Sequence, residues 1–344
     1  MTHPYQSQPN RAFWARSVAR DWNAGDLVNA SAPLLMPEDR IVSAGSCFAA
    51  NIVPHLEAAG YSYLRTEIMD DSEDRFHYGS YSAAYGNIYS ARQFRQLVDR
   101  CLGNFRPAED RWSLGDAVID PFRPGLLYPA EDEAEFDITT AAHLERTREA
   151  FAQATVLIFT LGLTEAWASK IDGAVFPACP GVVAGTFDPD RHHFVNFRVG
   201  EIVEDMRAAL TALRSINPAL RVLLTVSPVP LVATATGEHV YAANFYSMSA
   251  LRAAAEEVAS LEKDVVYFPS LEIVLGLDAG ANFEPDLRSV SAEGLSRVVS
   301  ALLAGCALPS GGKGHAGNSD AVKTANASAF LVKKECEESM NEKG

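Results

Sequence analysis

Thr155-Val-Leu-Ile-Phe-Thr-Leu161 is an almost unbroken apolar run, rich in residues that favour extended backbone. A segment like this has no polar face to give to water, so it reads as a strand buried on both sides, as in a parallel sheet covered by helices. Weaker strand patterns surround it: about 40–45 (Arg-Ile-Val-Ser-Ala-Gly), Tyr61–Thr66, Arg221–Val226 and Asp264–Phe268. Between them lie helical stripes. Val199, Ile202, Val203, Met206, Leu210 and Leu213 share one helical face that Asn217-Pro218 ends, and Leu251, Ala254, Ala255, Val258 and Leu261 share another. Leu295, Val298, Val299, Leu302 and Leu303 form a last stripe, with Ser291 placed as its N-cap. Strands alternating with helices build βαβ units. The expected fold is α/β: a three-layer α/β/α sandwich around a central, mostly parallel sheet of about five strands.

The 344 residues suffice for one large α/β domain, and a 48% hydrophobic content supplies its core. Lys plus Arg number 29 against 44 Asp plus Glu, a net charge of −15. That balance argues against nucleic acid as a partner, since phosphates call for a basic face, and against attraction to an anionic membrane. Cys47, Cys101, Cys179, Cys306 and Cys336 show no CxxC spacing, and their odd number disfavours a disulfide framework. Met1–Trp22 holds no signal-like apolar run, and no stretch reaches the roughly 18 apolar residues of a membrane span. These features point to a cytoplasmic setting without membrane insertion. They leave the oligomeric state open.

Along the chain, residues 1–37 read as an N-terminal arm and 38–308 as the main domain. Residues 309–344 read as a disordered tail with at most a short helix near Phe330-Leu-Val332. Two long insertions, near 67–135 and 168–198, interrupt the alternation and are too long to be idle connections.

In an open parallel sheet, ligands bind beyond the carboxyl ends of the strands. The first strand ends in Gly45-Ser46-Cys47 and runs into a helix expected over 49–59. Glycine permits the tight bend and the helix N-terminus favours developing negative charge, so Ser46 is a candidate nucleophile as well as an ordinary N-cap. The third strand is followed by Gly162-Leu-Thr164-Glu165, the fourth by Ser227-Pro-Val-Pro230 and the fifth by Pro269-Ser270.

These residues, with Tyr85-Gly-Asn-Ile-Tyr89, Asp120-Pro-Phe-Arg-Pro124, Thr160–Trp167, Asp172–Pro177, Thr225–Pro230 and Asp286-Leu-Arg288, make the chain resemble the GSCFA-domain family over roughly Asp39 to Leu303. The family's name is the pentapeptide at Gly45–Ala49. Its kinship with SGNH (GDSL-like) hydrolases implies an SGNH/flavodoxin-like sandwich and esterase or acyltransferase chemistry without a cofactor. The implied substrate is a small or carbohydrate-linked acyl ester.

Carried over position by position, Ser46 takes the nucleophile's place. A strict count puts Cys47 there instead, and serine is preferred because it is the usual hydrolytic nucleophile. Gly86, with Asn87, resembles the second SGNH block, whose backbone N–H binds the oxyanion. Gly162–Glu165 resembles the third, with Thr164 where an asparagine usually donates; Thr164 is otherwise a helix cap, and Asn87 or Asn244 is left as the amide donor. The last block departs from the pattern: Asp286-Leu-Arg-Ser289 has serine where Asp-x-x-His has its base. His239 and His77 are the substitute candidates, each otherwise a loop histidine. Asp286 or Glu165 acting directly is a second possibility, and a glycan- or protein-binding module that has lost hydrolysis is a third.

Gly45, Cys47, Asn87, Gly162, Glu165, Ser227 and Ser289 are the expected binding residues around this centre. Arg123, Arg252 and Arg288 are open between anion binding and structural ion pairs. Trp167, Tyr85 and Tyr89 are open between sugar stacking and core packing. His192-His193 lacks a suitably spaced partner, and no metal is expected. The geometric expectation is that the Ser46 hydroxyl lies open in a cleft, facing Asp286 and the turn at Gly162.

Overall fold

The structure, a computed structural model, describes residues 3–28, 32–68, 78–126 and 129–309. His77 and the expected tail beyond residue 309 lie outside the described residues. A short helix α1 (Trp14–Ser17) precedes β1 (Arg40–Gly45), α2 (Cys47–Ala58) and β2 (Ser62–Tyr63). Then come α3 (Ala91–Cys101), β3 (Trp112–Leu114), β4 (Ala117–Ile119), α4 (Glu133–Gln153), β5 (Val156–Leu161), β6 (Glu165–Ser169), β7 (Val175–Phe176) and β8 (His192–Asn196). The chain continues through α5 (Val199–Ile216), β9 (Arg221–Val226), α6 (Val240–Leu261), β10 (Val265–Phe268), α7 (Ser270–Leu275), α8 (Ala279–Asn282) and α9 (Ala292–Ala304).

Five strands form the central sheet in the order β2-β1-β5-β9-β10, every pairing parallel. Alternate residues go to opposite faces, as the pleat requires. Val42, Ala44, Leu157, Phe159, Leu161, Val222, Leu224 and Val226 pack mainly against α3, α4, α5 and α6. Ile41, Val156, Ile158, Leu223 and Phe268 pack against α2, α7 and α9. The sandwich therefore has three layers, and the apolar run that dominates the sequence is its middle strand, with all six residues of β5 buried. The chain leaves β1 for β2 on one side and returns to β5 on the other. That places the topological switch point, where ligands bind in such sheets, between β1 and β5.

The helix stops are the ones the sequence signals. Asn217 ends α5, and its Nδ2 donates to Phe151 O at 2.9 Å and Ala154 O at 2.7 Å. The Ser291 hydroxyl caps α9 by accepting from Gly294 N–H at 3.1 Å. The expected strand 61–66 is shorter: only Ser62–Tyr63 pair with β1. Beyond them Thr66 N–H donates to Ser82 O at 2.8 Å, which turns the chain toward the first insertion.

The described residues of the insertions carry regular structure. The first holds α3 and the β3–β4 hairpin. The second completes an antiparallel three-stranded sheet, order β7-β6-β8. Helix α3 escapes an apolar-stripe reading because Gln93, Gln96 and Arg100 share its buried side with Phe94, Leu97 and Val98. Helix α4 escapes it because His143 and Thr147 are buried there beside Phe136 and Phe151. Among the described residues no helix is long and apolar enough to cross a membrane.

Candidate active site

At the end of β1 the backbone comes against β5 so closely that only glycine fits. Gly45 has φ +143°, and a Cβ there would stand 2.6 Å from Thr160 O and 2.8 Å from Thr160 Cβ. Ser46 follows as the N-cap residue of the twelve-residue helix α2, whose N-terminal end is electropositive. Its side chain makes no capping bond. The Ser46 Oγ is buried and has no hydrogen-bond partner.

Gly162, past the end of β5, lies against this serine: a Cβ on Gly162 would stand 3.4 Å from Ser46 Cβ and 3.2 Å from Tyr89 O. The inserted segment 81–89 closes the third side. Ile88 N–H donates to Gly45 O at 2.8 Å, and Gly162 and Leu163 N–H groups both donate to Tyr89 O at 2.9 Å. Tyr81 donates its hydroxyl to Ser46 O at 3.1 Å and contacts Asn87 Oδ1 at 2.6 Å. The switch point is thus built from β1, the Gly162 turn and the 81–89 segment.

The expected open cleft is corrected here. Ser46 does face the Gly162 turn, but the residue is only 4% exposed, because the 81–89 segment and the Gly162 turn are bonded to each other around it. Asp286 is not hydrogen-bonded to Ser46. It is exposed and accepts from its own turn: Arg288 N–H and Ser289 N–H on Oδ1 at 2.9 Å each, and the Ser289 hydroxyl on Oδ2 at 2.6 Å. Burial works to raise the Asp286 pKa, but these bonds and the Arg288 charge hold it below the usual carboxylate range. The turn is tied to the loop after β9 by Arg288 Nε donating to Pro230 O at 3.0 Å.

Thr164 is fully buried with an unpartnered hydroxyl; its N–H donates to Ser247 Oγ at 3.2 Å. It does not cap a helix, since β6 follows it. Thr160, inside β5, also keeps an unpartnered buried hydroxyl. Ser46, Thr160 and Thr164 thus leave three orphan hydroxyls at the joined ends of β1 and β5. A buried hydroxyl left without a partner costs on the order of 1–3 kcal/mol. Other such groups among the described residues, Thr140 and Thr147 of α4 for example, lie outside this cluster. Thr160 and Tyr81 are the members sequence reasoning missed. A threonine inside an otherwise apolar strand was the available signal for Thr160, whereas nothing local signalled Tyr81.

Gly86, at φ +66°, sits in the 81–89 segment with its Cβ direction toward Arg123. Asn87 is buried beside it, its carbonyl accepting from Gln93 Nε2 at 2.8 Å. Asn244 is committed elsewhere, accepting from Leu231 N–H at 3.0 Å and donating toward Met248 Sδ at 3.4 Å. Glu165 is half-buried at the same sheet edge. Its Oε1 accepts from the Thr234 hydroxyl at 2.7 Å and its Oε2 from Ala235 N–H at 3.3 Å, while burial pushes its pKa up. Ser227 is buried and accepts from Val229 N–H at 3.3 Å. His239 is an exposed helix cap: its Nδ1 accepts from Tyr241 N–H at 3.2 Å, which engages it locally and not with Ser46.

Cys47, the first residue of α2, is part-exposed and in no disulfide. Arg123 and Arg252 are in ion pairs, with Asp120 and Glu67, and with Glu256 and Glu272. Tyr85 and Tyr89 are core residues, and Trp167 packs edge-on to Phe187 and Phe194. His192 meets Glu109 Oε2 at 3.0 Å.

The GSCFA family model matches residues 40–301. No curated protein matches the chain. Among solved structures, the chain is similar to an acetyl-esterase variant crystallised with an acetate ion, at 13% identity and TM-score 0.32, covering 76% of this chain and 93% of that one. It is also similar to a carbohydrate esterase of family 3 from Talaromyces cellulolyticus, at 12% identity and TM-score 0.33, covering 77% and 94%. A third is a candidate platelet activating factor from Streptococcus pneumonia, at 15% identity and TM-score 0.27; 43% of this chain is covered, spanning 57% of that one.

Proposed function

The chain belongs to the GSCFA family, and from that premise we propose that it processes acyl esters, as a hydrolase or acyltransferase, with Ser46 as the nucleophile. The observation that carries this reading is the state of the Ser46 hydroxyl. It stands at a helix N-cap, where serine ordinarily bonds the helix backbone, yet it is buried with no bond at all at the switch point of the sheet. Attack by this enclosed hydroxyl requires the 81–89 segment or the Gly162 turn to give way as the ester enters.

In this mechanism the Ser46 hydroxyl adds to the acyl carbonyl. Its proton passes to the departing alkoxide, directly or through solvent, and the C–O bond to that group breaks, so the alcohol leaves and an acyl-serine forms. Water or an acceptor hydroxyl then releases the acyl group. In this reading the developing oxyanion is taken by the Gly86 N–H, the Asn87 amide and the Thr164 hydroxyl. The acceptor for the Ser46 proton is the element that position 289 lacks. Such an enzyme turns over activated esters better than unactivated ones. The substrate class that fits is a small or carbohydrate-linked ester, and a cytoplasmic setting is part of the same proposal.

Ser289 in the histidine's position favours one second reading, a glycan- or protein-binding module on the same scaffold. A serine-directed fluorophosphonate separates the two. Labelling at Ser46, lost in Ser46→Ala together with nitrophenyl acetate hydrolysis, supports the enzyme. Silence at Ser46, with binding to a glycan array, supports the module. Iodoacetamide inactivation with an intact Ser46→Ala activity would move the nucleophile to Cys47.

A further inference from the structure

Glu67 gathers a buried knot of charge next to this site. Its Oε2 accepts from Ala84 N–H at 2.8 Å and meets His143 Nδ1 at 2.7 Å, and its Oε1 faces Arg123 Nη1 at 3.4 Å. Arg123 also donates to Ala84 O at 3.3 Å, so one ion pair grips both backbone groups of Ala84. Behind it, Asp120 Oδ2 lies 3.3 Å from both Arg123 Nε and Arg100 Nη2. The side chains of His143, Arg100, Asp120 and Arg123 are 8% exposed or less.

Two residues beyond Ala84, a Cβ on Gly86 would lie 3.6 Å from Arg123 Cβ. From there the chain reaches Ser46 through Asn87, Tyr81 and the Ile88–Gly45 bond. Gln93 braces the far end, accepting from Tyr89 N–H at 2.9 Å and donating to Asn87 O at 2.8 Å.

Stability alone does not account for this knot, because buried ion pairs are generally no better than apolar residues of similar volume. What charged groups add is direction, and two of these contacts, Glu67 with Ala84 N–H and Arg123 with Ala84 O, end on the segment that carries Gly86 and Asn87. We propose that Glu67, with Arg123 and His143, is a positioning group that holds the Gly86 N–H and the Asn87 amide beside Ser46. The proposal rests on the ester-processing reading of Ser46.

The charges around Glu67 are Arg123, Arg100 and Asp120, with His143, Tyr78 and Tyr85 as the neighbouring titratable groups. Burial, then the Arg123 charge, hold His143 below its ordinary pKa against the pull of Glu67. Since a carboxylate only accepts, Nδ1 carries the hydrogen shared with Glu67. Burial also keeps both tyrosines protonated.

The test is amide hydrogen exchange on the full chain, read in peptides covering 84–88 and, as a control, 156–161. Glu67→Gln removes the charge. Glu67→Gln/Arg123→Gln removes both partners and leaves no unpaired buried charge, which keeps the question answerable if the single variant unfolds. Both are expected to raise exchange at 84–88 by about tenfold or more while 156–161 is unchanged, the mark of local and not global opening. For nitrophenyl acetate, kcat is expected to fall by about ten- to a hundredfold with KM within about twofold, since the donors act in the transition state.

Unchanged exchange at 84–88 overturns the proposal whatever the enzyme does, and so does a kcat that rises or a loss confined to KM. The Ser46→Ala variant keeps the readings apart. If it retains full turnover, the nucleophile assignment fails, and the exchange result still decides whether Glu67 holds the segment.

Discussion

Ser289 donates its hydroxyl to Asp286 Oδ2 at 2.6 Å, closing a turn whose two backbone N–H groups also point at that carboxylate. Asp286 is therefore ionised and oriented, but its partner carries no group able to accept a proton at neutral pH. Restoring an imidazole at this position tests whether the turn still aims at the nucleophile. Ser289→His is expected to raise kcat/KM for nitrophenyl acetate by about a hundredfold, with a rise in rate through about pH 6.5, as general-base catalysis by histidine gives. A variant no faster than wild type, with a flat pH profile, would show that the turn does not face Ser46.

Ser46→Ala makes two opposite forecasts. Turnover of an activated ester is lost. Stability rises by about 1 kcal/mol in urea unfolding, because the substitution deletes a buried hydroxyl that has no partner. An ordinary N-cap would give the reverse, a loss of about 1 kcal/mol. The sign alone distinguishes a site serine from a structural cap.

Gly45→Ala is expected to destabilise the protein by about 3 kcal/mol or more, because the added methyl combines a strained φ with overpacking. The contact at fault is with backbone, 2.6 Å from Thr160 O, so no side chain can move aside. Gly173→Ala, where φ is +73° but nothing lies within 4 Å of the new methyl, is the control and is expected to lose clearly less. Equal losses in the two variants would show that crowding at β5 adds nothing.

Acid should weaken the fold through Glu67. Burial alone would raise its pKa, but His143, Arg123 and the Ala84 N–H together lower it from 4.5 to about 2. A carboxylate lowered in the folded state contributes stability that is complete above the unfolded pKa and is lost as pH falls toward the folded one. The window is thus from about pH 4.5 down to about pH 2, and the contribution is on the order of 3 kcal/mol. Urea unfolding at pH 7, 4.5 and 3 should show a shallower acid limb in Glu67→Gln than in wild type. Parallel limbs would remove Glu67 from the account of acid stability.

How much of this was legible in the chain depended on whether a feature was local. β1 and β9 read correctly to the residue because their side chains meet apolar layers on both faces, and the stops at Asn217 and Ser291 are chemistry of single residues. Gly45 and Ser46 were visible for the same reason: a bend between strand and helix is written in adjacent residues. Helices α3 and α4 were not visible, because the polar residues on their buried sides, Gln93, Gln96, Arg100 and His143, are satisfied only by partners far along the chain.

The sequence by itself therefore determined a doubly covered parallel sheet and a serine at the end of its first strand, since periodicity and turn chemistry act over a few residues. Only the tertiary structure decided that this hydroxyl is enclosed, that Tyr81 and the 81–89 segment lie on Ser46, and that Asp286 bonds Ser289 within its own turn. Those outcomes depend on long-range packing: what a polar group meets when the insertions fold back is fixed by the balance of burial and hydrogen bonding across the whole domain.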